Sequence, residues 1–310
     1  MLVGCAKRTF VVKQALSRLR VAVDWCCDPN RIHTEAMGLR WLEQLAPSGT
    51  ITPLIFEDQE QNVIAMAAVP EPHENWKVLL FNGEVNLNCV EQFANLLARI
   101  HRKSSEQARE LAAVFQDRSF FEALRLEPYY RYSAKQVPGL NRFFSDLIQD
   151  TLDNCVALVH GDYSPKNILV HNDRLILLDH EVIHFGDPAF DVGFSLTHLL
   201  SKATHFETWR LEFLHAARVY VKEYLSGVAM LSWRASAERR AVRHTLGCLI
   251  ARVVGRSPLE YLTEAERRLQ RDAVVALTGR PPSCLADLIS EFSDKLNANS
   301  EKLHRTGNTR

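Results

Sequence analysis

The sequence predicts a two-lobed α+β protein, a small N-terminal lobe of sheet with one helix followed by a larger, mainly helical lobe. Three observations carry this. β-Branched and alternating apolar runs are confined to the first 70 residues and a short stretch between 156 and 178, while apolar residues at helical spacing fill most of the rest. A proline-bearing polar stretch, Pro70 to Asn75, separates the two regimes. At 310 residues the chain is about twice a usual domain of roughly 150, long enough for two such bodies.

Composition narrows the function classes. Hydrophobic residues at 46% and charged residues at 24% exclude a disordered chain, a collagen-like repeat and a coiled-coil rod. Lysine plus arginine and aspartate plus glutamate each total 37, so no polybasic field draws the chain to nucleic acid or a membrane surface. No stretch approaches the roughly 18 apolar residues of a membrane span, and the start, MLVGCAKRTF, is too short in its apolar part for a secretory signal. A cytoplasmic location is expected. The seven cysteines are scattered without CxxC or Cys/His ligand spacing, against both zinc and a disulfide framework.

The elements follow in order. Residues 8 to 16 contain a β-branched run ending at Lys13 and predict a strand. Asp28-Pro29 has the form of an N-cap with proline at the first helical position, opening a helix to about Leu45. Ile32, Met37, Leu39, Trp41, Leu42 and Leu45 supply its apolar positions, and Glu35 lies in its first half. Strands around Pro53 to Glu57 and Asn62 to Ala68 flank the polar turn of residues 58–61. The predicted organisation is therefore an N-terminal lobe over 1–69, a linker over 70–76, a helical lobe over 77–299 and a polar tail over 300–310 that frays. In the second lobe Val90, Phe93, Leu96, Leu97 and Ile100 share a helical face, and amphipathic stretches follow near 106–116 and 138–153. Val156 to Val159, Ile168 to Val170 and Leu175 to Leu178 predict short strands, and helix resumes from Ala189 to about Asn297.

The polar chemistry is concentrated between those short strands. His160-Gly161-Asp162 is followed five positions after the aspartate by Asn167, the spacing of a kinase catalytic loop in which the aspartate accepts a hydroxyl proton and the asparagine binds magnesium. Leu177-Leu178-Asp179-His180-Glu181 then places a second carboxylate at a strand end. Phosphoryl transfer needs such convergence, because hard oxygen ligands must hold the ions that neutralise nucleotide phosphates. Asp179 is the candidate metal ligand, and Glu181 is placed to reach a second ion or its waters. Phe185-Gly186-Asp187-Pro188-Ala189-Phe190-Asp191 leads into the next helix, where Asp187 is expected to cap the helix start. In the first lobe Lys13 and Glu35 stand as the lysine and helix glutamate that orient the α- and β-phosphates, with the backbone of Met66 to Val69 placed against an adenine. His160 is expected to be a structural hydrogen-bonding residue. Lys166 divides evenly between contact with a transferring phosphate and a solvated position.

With HGDxxxxN, then hydrophobic-Asp-x-Glu, then GDPxxD, the chain resembles the aminoglycoside phosphotransferase and choline kinase superfamily, closely over Leu158 to Leu200 and more loosely over Phe10 to His101. The resemblance implies a protein-kinase-like fold and an ATP- and Mg2+-dependent transfer to a small-molecule hydroxyl. It also implies Asp162 as catalytic base, Asn167 and Asp179 as metal ligands, and Asp191 as a buried carboxylate supporting the catalytic loop. Trp76-Lys77 and Arg125-Leu126-Glu127-Pro128-Tyr129 are similar to methylthioribose kinase.

One part of the pattern is missing. A complete lobe of this kind carries a glycine-rich hairpin ahead of the lysine, yet only twelve residues precede Lys13 and no GxGxxG occurs in the first fifty. The sequence predicts at most one neighbouring strand there, over Met1 to Gly4, and hence an incomplete nucleotide lobe. A catalytically silent nucleotide-binding or interaction module is the alternative this raises. The acceptor is predicted to be small, since only about ten residues separate Asp179 from the helix near Ala189, too few for a peptide-docking segment. Residues 201–280 hold 14 lysines and arginines against 8 acidic residues, which favours a neutral or anionic acceptor over a polycationic aminoglycoside if those charges face the acceptor; Arg239, Arg240, Arg267 and Arg268 are read as a solvated face.

Overall fold

The computed structural model describes residues 1–5, 8–18 and 26–307. Its backbone packs as two units, Met1–Leu124 with Val156–Gly186, and Arg125–Cys155 with Asp187–Arg310. This grouping by packing differs from the division by composition at 70–76. The reason is local: the long helix α3 (Leu87–Glu106), beyond that stretch, packs on the helix α1 (Arg31–Leu45) that precedes it.

In the first unit a four-stranded antiparallel sheet runs β1-β2-β4-β3, with β1 Leu2–Cys5, β2 Arg8–Gln14, β3 Leu54–Asp58 and β4 Val63–Ala67. Among the described residues, strand β1 precedes the lysine strand. Residues 6 and 7, between β1 and β2, lie outside the described residues. Side chains two apart on a strand share a face, so Thr9, Val11 and Lys13 all point into one cavity. Helix α1 buries Ile32, Glu35, Ala36, Leu39 and Leu42, one stripe at helical spacing, and that stripe carries Glu35 inward. The helix begins at Arg31, later than Asp28-Pro29 suggests; Asp28 Oδ1 instead accepts from the Asn30 amide at 2.9 Å in the turn before it.

The unit continues through β5 (Glu74–Asn75), α2 (Trp76–Phe81), α3, α4 (Ala108–Val114) and α5 (Ser119–Phe121). Its last strands are β6 (Ala157–Val159), β7 (Ile168–His171), β8 (Arg174–Leu177) and β9 (His184–Gly186), in sheets ordered β5-β7-β8 and β6-β9. Strand β5 lies inside the polar linker stretch. It has no apolar signal of its own and is specified by pairing with Leu169 and Val170 of β7.

The second unit is helical. It opens part-way along a π-helical segment, Glu122–Arg131, whose first three residues belong to the first unit; Pro128 lies inside the segment, and its carbonyl accepts from the Arg256 amide at 3.1 Å. Then come α6 (Tyr132–Gln136), α7 (Asn141–Asp153), α8 (Ala189–His205), α9 (Arg210–Gly227), α10 (Arg234–Val254), α11 (Glu264–Thr278) and α12 (Leu285–Gly307). Helix α8 is buried from Ala189 to Thr204 and packs against α9 and α10. At Gly193 a Cβ would lie 2.5 Å from His244 Cβ and 2.7 Å from the Thr245 nitrogen, so α8 and α10 approach backbone to backbone. Gly193→Ala should destabilise by about 1–3 kcal/mol through overpacking. A urea midpoint equal to wild type would contradict that packing.

Where fraying is expected from residue 300, α12 instead runs on to Gly307. Leu285, Leu288, Ile289, Phe292 and Leu296 anchor it, and extending an anchored helix adds a hydrogen bond per residue without a new nucleus. Residues 308–310 lie outside the described residues. Among the described residues no helix is long and apolar enough to cross a membrane.

Candidate active site

The centre of the first unit is one ammonium between two carboxylates. Lys13 Nζ lies 2.6 Å from Glu35 Oε2 and donates to Asp179 Oδ1 at 2.5 Å, joining β2, α1 and the segment after β8. Burial works against the Lys13 charge, but Asp179, Glu35 and Glu181 outweigh it and hold its pKa well above the ordinary value. Burial likewise opposes the Asp179 charge, and Lys13 and Lys166 overcome it, keeping that carboxyl well below the usual range. Glu35 behaves differently. Its burial dominates, Lys13 offsets it only in part, and its pKa is pushed up to about 7. One ammonium neutralises one carboxylate, so the more deeply buried of the two holds its proton more tightly.

Glu181 joins this group: carboxylate oxygens of Glu35, Asp179 and Glu181 lie within 4.8 Å of one another. It is held by Arg31, a residue whose role the sequence did not reveal. Arg31 Nε donates to Glu181 Oε2 at 3.0 Å, Nη1 to the Cys27 and Asp28 carbonyls at 3.2 and 3.1 Å, and Nη2 to the Leu16 carbonyl at 3.0 Å. The guanidinium thus ties both ends of the β2–α1 connection to the segment after Asp179. Arg31→Met strands these acceptors and should cost about 2–4 kcal/mol, below a fully buried ion pair because Glu181 keeps some contact with water. Urea unfolding measures it, and a loss under half a kilocalorie would show the clamp to be idle.

The loop from His160 to Asn167 is fixed at both ends. Gly161 has φ +77°, and a Cβ there would meet Val182 Cγ2 at 2.9 Å and its carbonyl at 3.0 Å, so this position needs glycine on both counts. The Asp162 amide donates to His160 Nδ1 at 3.2 Å while His160 Nε2 bonds the Leu178 carbonyl at 3.2 Å, so both ring nitrogens brace backbone. Tyr163 stacks on Phe93 of α3 at 4.3 Å and donates to its carbonyl. Asn167 Nδ2 donates to Asp162 Oδ2 and to the Asp162 carbonyl, both at 2.9 Å, which leaves its Oδ1 as the atom to offer a cation. Lys166 Nζ stands 2.8 Å from Asp162 Oδ2, and the Leu178 amide donates to the Asn167 carbonyl at 2.9 Å, bringing the loop and Asp179 side by side.

Lys13, Glu35, Asn167 and Asp179 border a cavity of about 610 Å3. Met66 through Pro70 border it too, as does Thr52, a buried residue whose hydroxyl has no hydrogen-bond partner and which the sequence did not single out. The volume is that of a small-molecule or cofactor site. The Glu35, Asp179 and Glu181 carboxylates with the Asn167 amide oxygen make an all-oxygen donor set, which fits magnesium.

In the second unit Asp187 accepts from the Ala189 amide at 3.0 Å, at the start of α8, and from Arg240 Nε at 2.6 Å and Nη2 at 3.0 Å. Arg240 is therefore not a solvated residue, as its sequence context suggests, but half of a buried ion pair. Arg267 bonds the Leu259 and Leu262 carbonyls. Arg239 and Arg268 are exposed as expected. Asp191 is fully buried in the first turn of α8.

The phosphotransferase enzyme family matches residues 6–231, most of the chain. The chain belongs to this family. Membership places it in the aminoglycoside phosphotransferase and choline kinase superfamily that its motifs resemble. Protein LicA of Haemophilus influenzae is 28% identical over 130 residues, covering 40% of this chain and 38% of that protein. Methylthioribose kinase of Yersinia pseudotuberculosis serotype O:3 (strain YPIII) is 26% identical over 220 residues, covering 61% of this chain and 52% of that enzyme. The chain thus spans about half or less of the length of these curated relatives. Among solved structures, an amicoumacin kinase in complex with AMP-PNP, Ca2+ and amicoumacin superposes with a TM-score of 0.53 at 14% identity, covering 89% of this chain and 84% of that one. At that identity the likeness is one of fold, and this family member has the kinase-like α+β fold, with a small antiparallel sheet and a larger helical portion.

Proposed function

We propose that this protein transfers the γ-phosphoryl group of ATP, as its magnesium complex, to a hydroxyl of a small molecule. The observation that carries the reading is the convergence of Lys13, Glu35, Asn167 and Asp179, from four separate segments, on a single cavity. In the proposed reaction Asp162 takes the acceptor's hydroxyl proton as its oxygen bonds the γ-phosphorus, and the bond from that phosphorus to the bridging oxygen breaks to release ADP. Asn167 and Asp179 hold the metal, which neutralises charge developing on the phosphates, and Glu181 supports it from its anchor on Arg31. Lys13, positioned by Glu35, orients the α- and β-phosphates, and the backbone of Met66 to Val69 receives the base. His160 and Asp187 shape the loops, and Asp191 is assigned to the same support.

The family and its relatives support a small-molecule acceptor. The excess of arginine in the helical unit does not choose among acceptors. Arg240 is paired with Asp187 and Arg243 with Asp150, so part of that charge is balanced within the chain. Amino sugars and methylthioribose-like sugars both belong in the screen. We place the reaction in the cytoplasm, where ATP is supplied.

Calorimetric titration with ATP, with and without magnesium, followed by an acceptor screen over sugars, amino alcohols and aminoglycosides read as ADP released, tests the proposal. Magnesium-dependent binding and acceptor-dependent ADP are expected. Absence of both would overturn it in favour of a silent module.

A further inference from the structure

We propose that a second cavity in the first unit binds a small phosphate-bearing anion, separately from the nucleotide. It measures about 380 Å3 and lies between the 47–50 turn, helix α3 and the β7–β8 hairpin. That suits a phosphorylated metabolite of a few carbons and lies at the small end of ligand sites.

Its charge is the first argument. Arg99 and Arg174 both line it, no acidic residue does, and among the described residues neither arginine forms an ion pair with a carboxylate. Elsewhere in the chain arginines are commonly neutralised: Arg31 by Glu181, Arg40 by Glu57, Arg240 by Asp187 and Arg243 by Asp150. Two unneutralised guanidiniums in one concavity repel each other, and an oxyanion relieves that repulsion while offering the geometry their forked donors match.

Rigidity is the second. Arg99 Nε donates to the Leu45 carbonyl at 3.2 Å, which fixes the guanidinium against the end of α1. Arg174 reaches the turn from the other side, its Nη1 4.0 Å from where a Cβ on Gly49 would stand. Gln92 binds the hairpin twice, Nε2 to the Asp173 carbonyl at 2.7 Å and Oε1 from the Leu175 amide at 3.3 Å. The side chains of Ser48 and Asn95, also in the lining, add neutral donors for the remaining oxygens.

This cavity and the larger one have no lining residue in common, but they are lined by neighbouring residues of the same segments. Thr50 lines the second and Thr52 the first; Leu175 lines the second and Leu178 and Asp179 the first; and the Leu177 amide donates to the Thr50 carbonyl at 2.8 Å between them. An anion held there touches segments within a few residues of Asp179.

The probe is inorganic pyrophosphate, titrated calorimetrically into the full chain without metal or nucleotide, so the outcome does not depend on kinase activity. Lys13→Met should keep a pyrophosphate site, since Lys13 lies outside this cavity, while Arg174→Gln should weaken that site about tenfold or more through loss of a charge-assisted contact. Arg174 is exposed, so this variant should fold normally, and Arg99→Gln should repeat its effect. No binding to wild type, binding unchanged in Arg174→Gln, or binding lost in Lys13→Met would each overturn the proposal, the last by placing the anion in the nucleotide cavity.

Discussion

Asp162→Asn should lower turnover at least about a hundredfold, the usual reach of a general base, while leaving the protein folded. The substitution keeps the shape of a residue that is 2% exposed, and it keeps an oxygen for Asn167 Nδ2. What it removes is the charge opposite Lys166, whose side chain is 46% exposed and can turn to water, so the stability cost should be about 1 kcal/mol or less. ADP release with an acceptor found by screening gives the first number, and urea unfolding the second. Turnover within tenfold of wild type would remove Asp162 from the base role.

The second large effect is expected at Asp179. Its backbone is left-handed, φ +66°, a conformation asparagine tolerates well, so Asp179→Asn leaves the turn after β8 undisturbed and deletes only charge. Magnesium-dependent ATP binding should fall about a hundredfold or more, because a hard dication loses an anionic ligand and Lys13 loses one of its two partners. Calorimetry with and without magnesium reads this directly. A variant whose affinity keeps the wild-type metal dependence would place the metal on other residues.

Much of the candidate site's geometry was legible in the sequence, for physical reasons. Asp162, Asn167 and Asp179 fall in short segments where a tight loop and a strand end dictate the residue type, so their spacing survives as a string. Lys13 and Glu35 could be read because strand and helix periodicity say which way each faces. Arg31 could not: its bonds to Leu16, Cys27 and Asp28 go to carbonyls, and a carbonyl leaves no trace in the choice of side chain. Strand β5 was hidden for a related cause, being two polar residues defined by their neighbour. Arg240 looked like one of several surface arginines, since the pairing that buries it spans 53 positions. The run of α12 to Gly307 leaves no apolar signal in the sequence, because the anchor of a helix can lie well before its last turn.

The tethered ammonium of Lys13 also bears on the order in which ligands arrive. It is already a counter-ion for Glu35 and Asp179, so a bare dication approaching alone must compete with a charge bound to the chain by its own backbone. In the proposed magnesium–nucleotide complex the phosphates would offer the ammonium a new partner, and Asp179 with Asn167 would be the residues to hold the ion. Metal and nucleotide should therefore enter as one complex, and magnesium titrated by itself should show no saturable uptake.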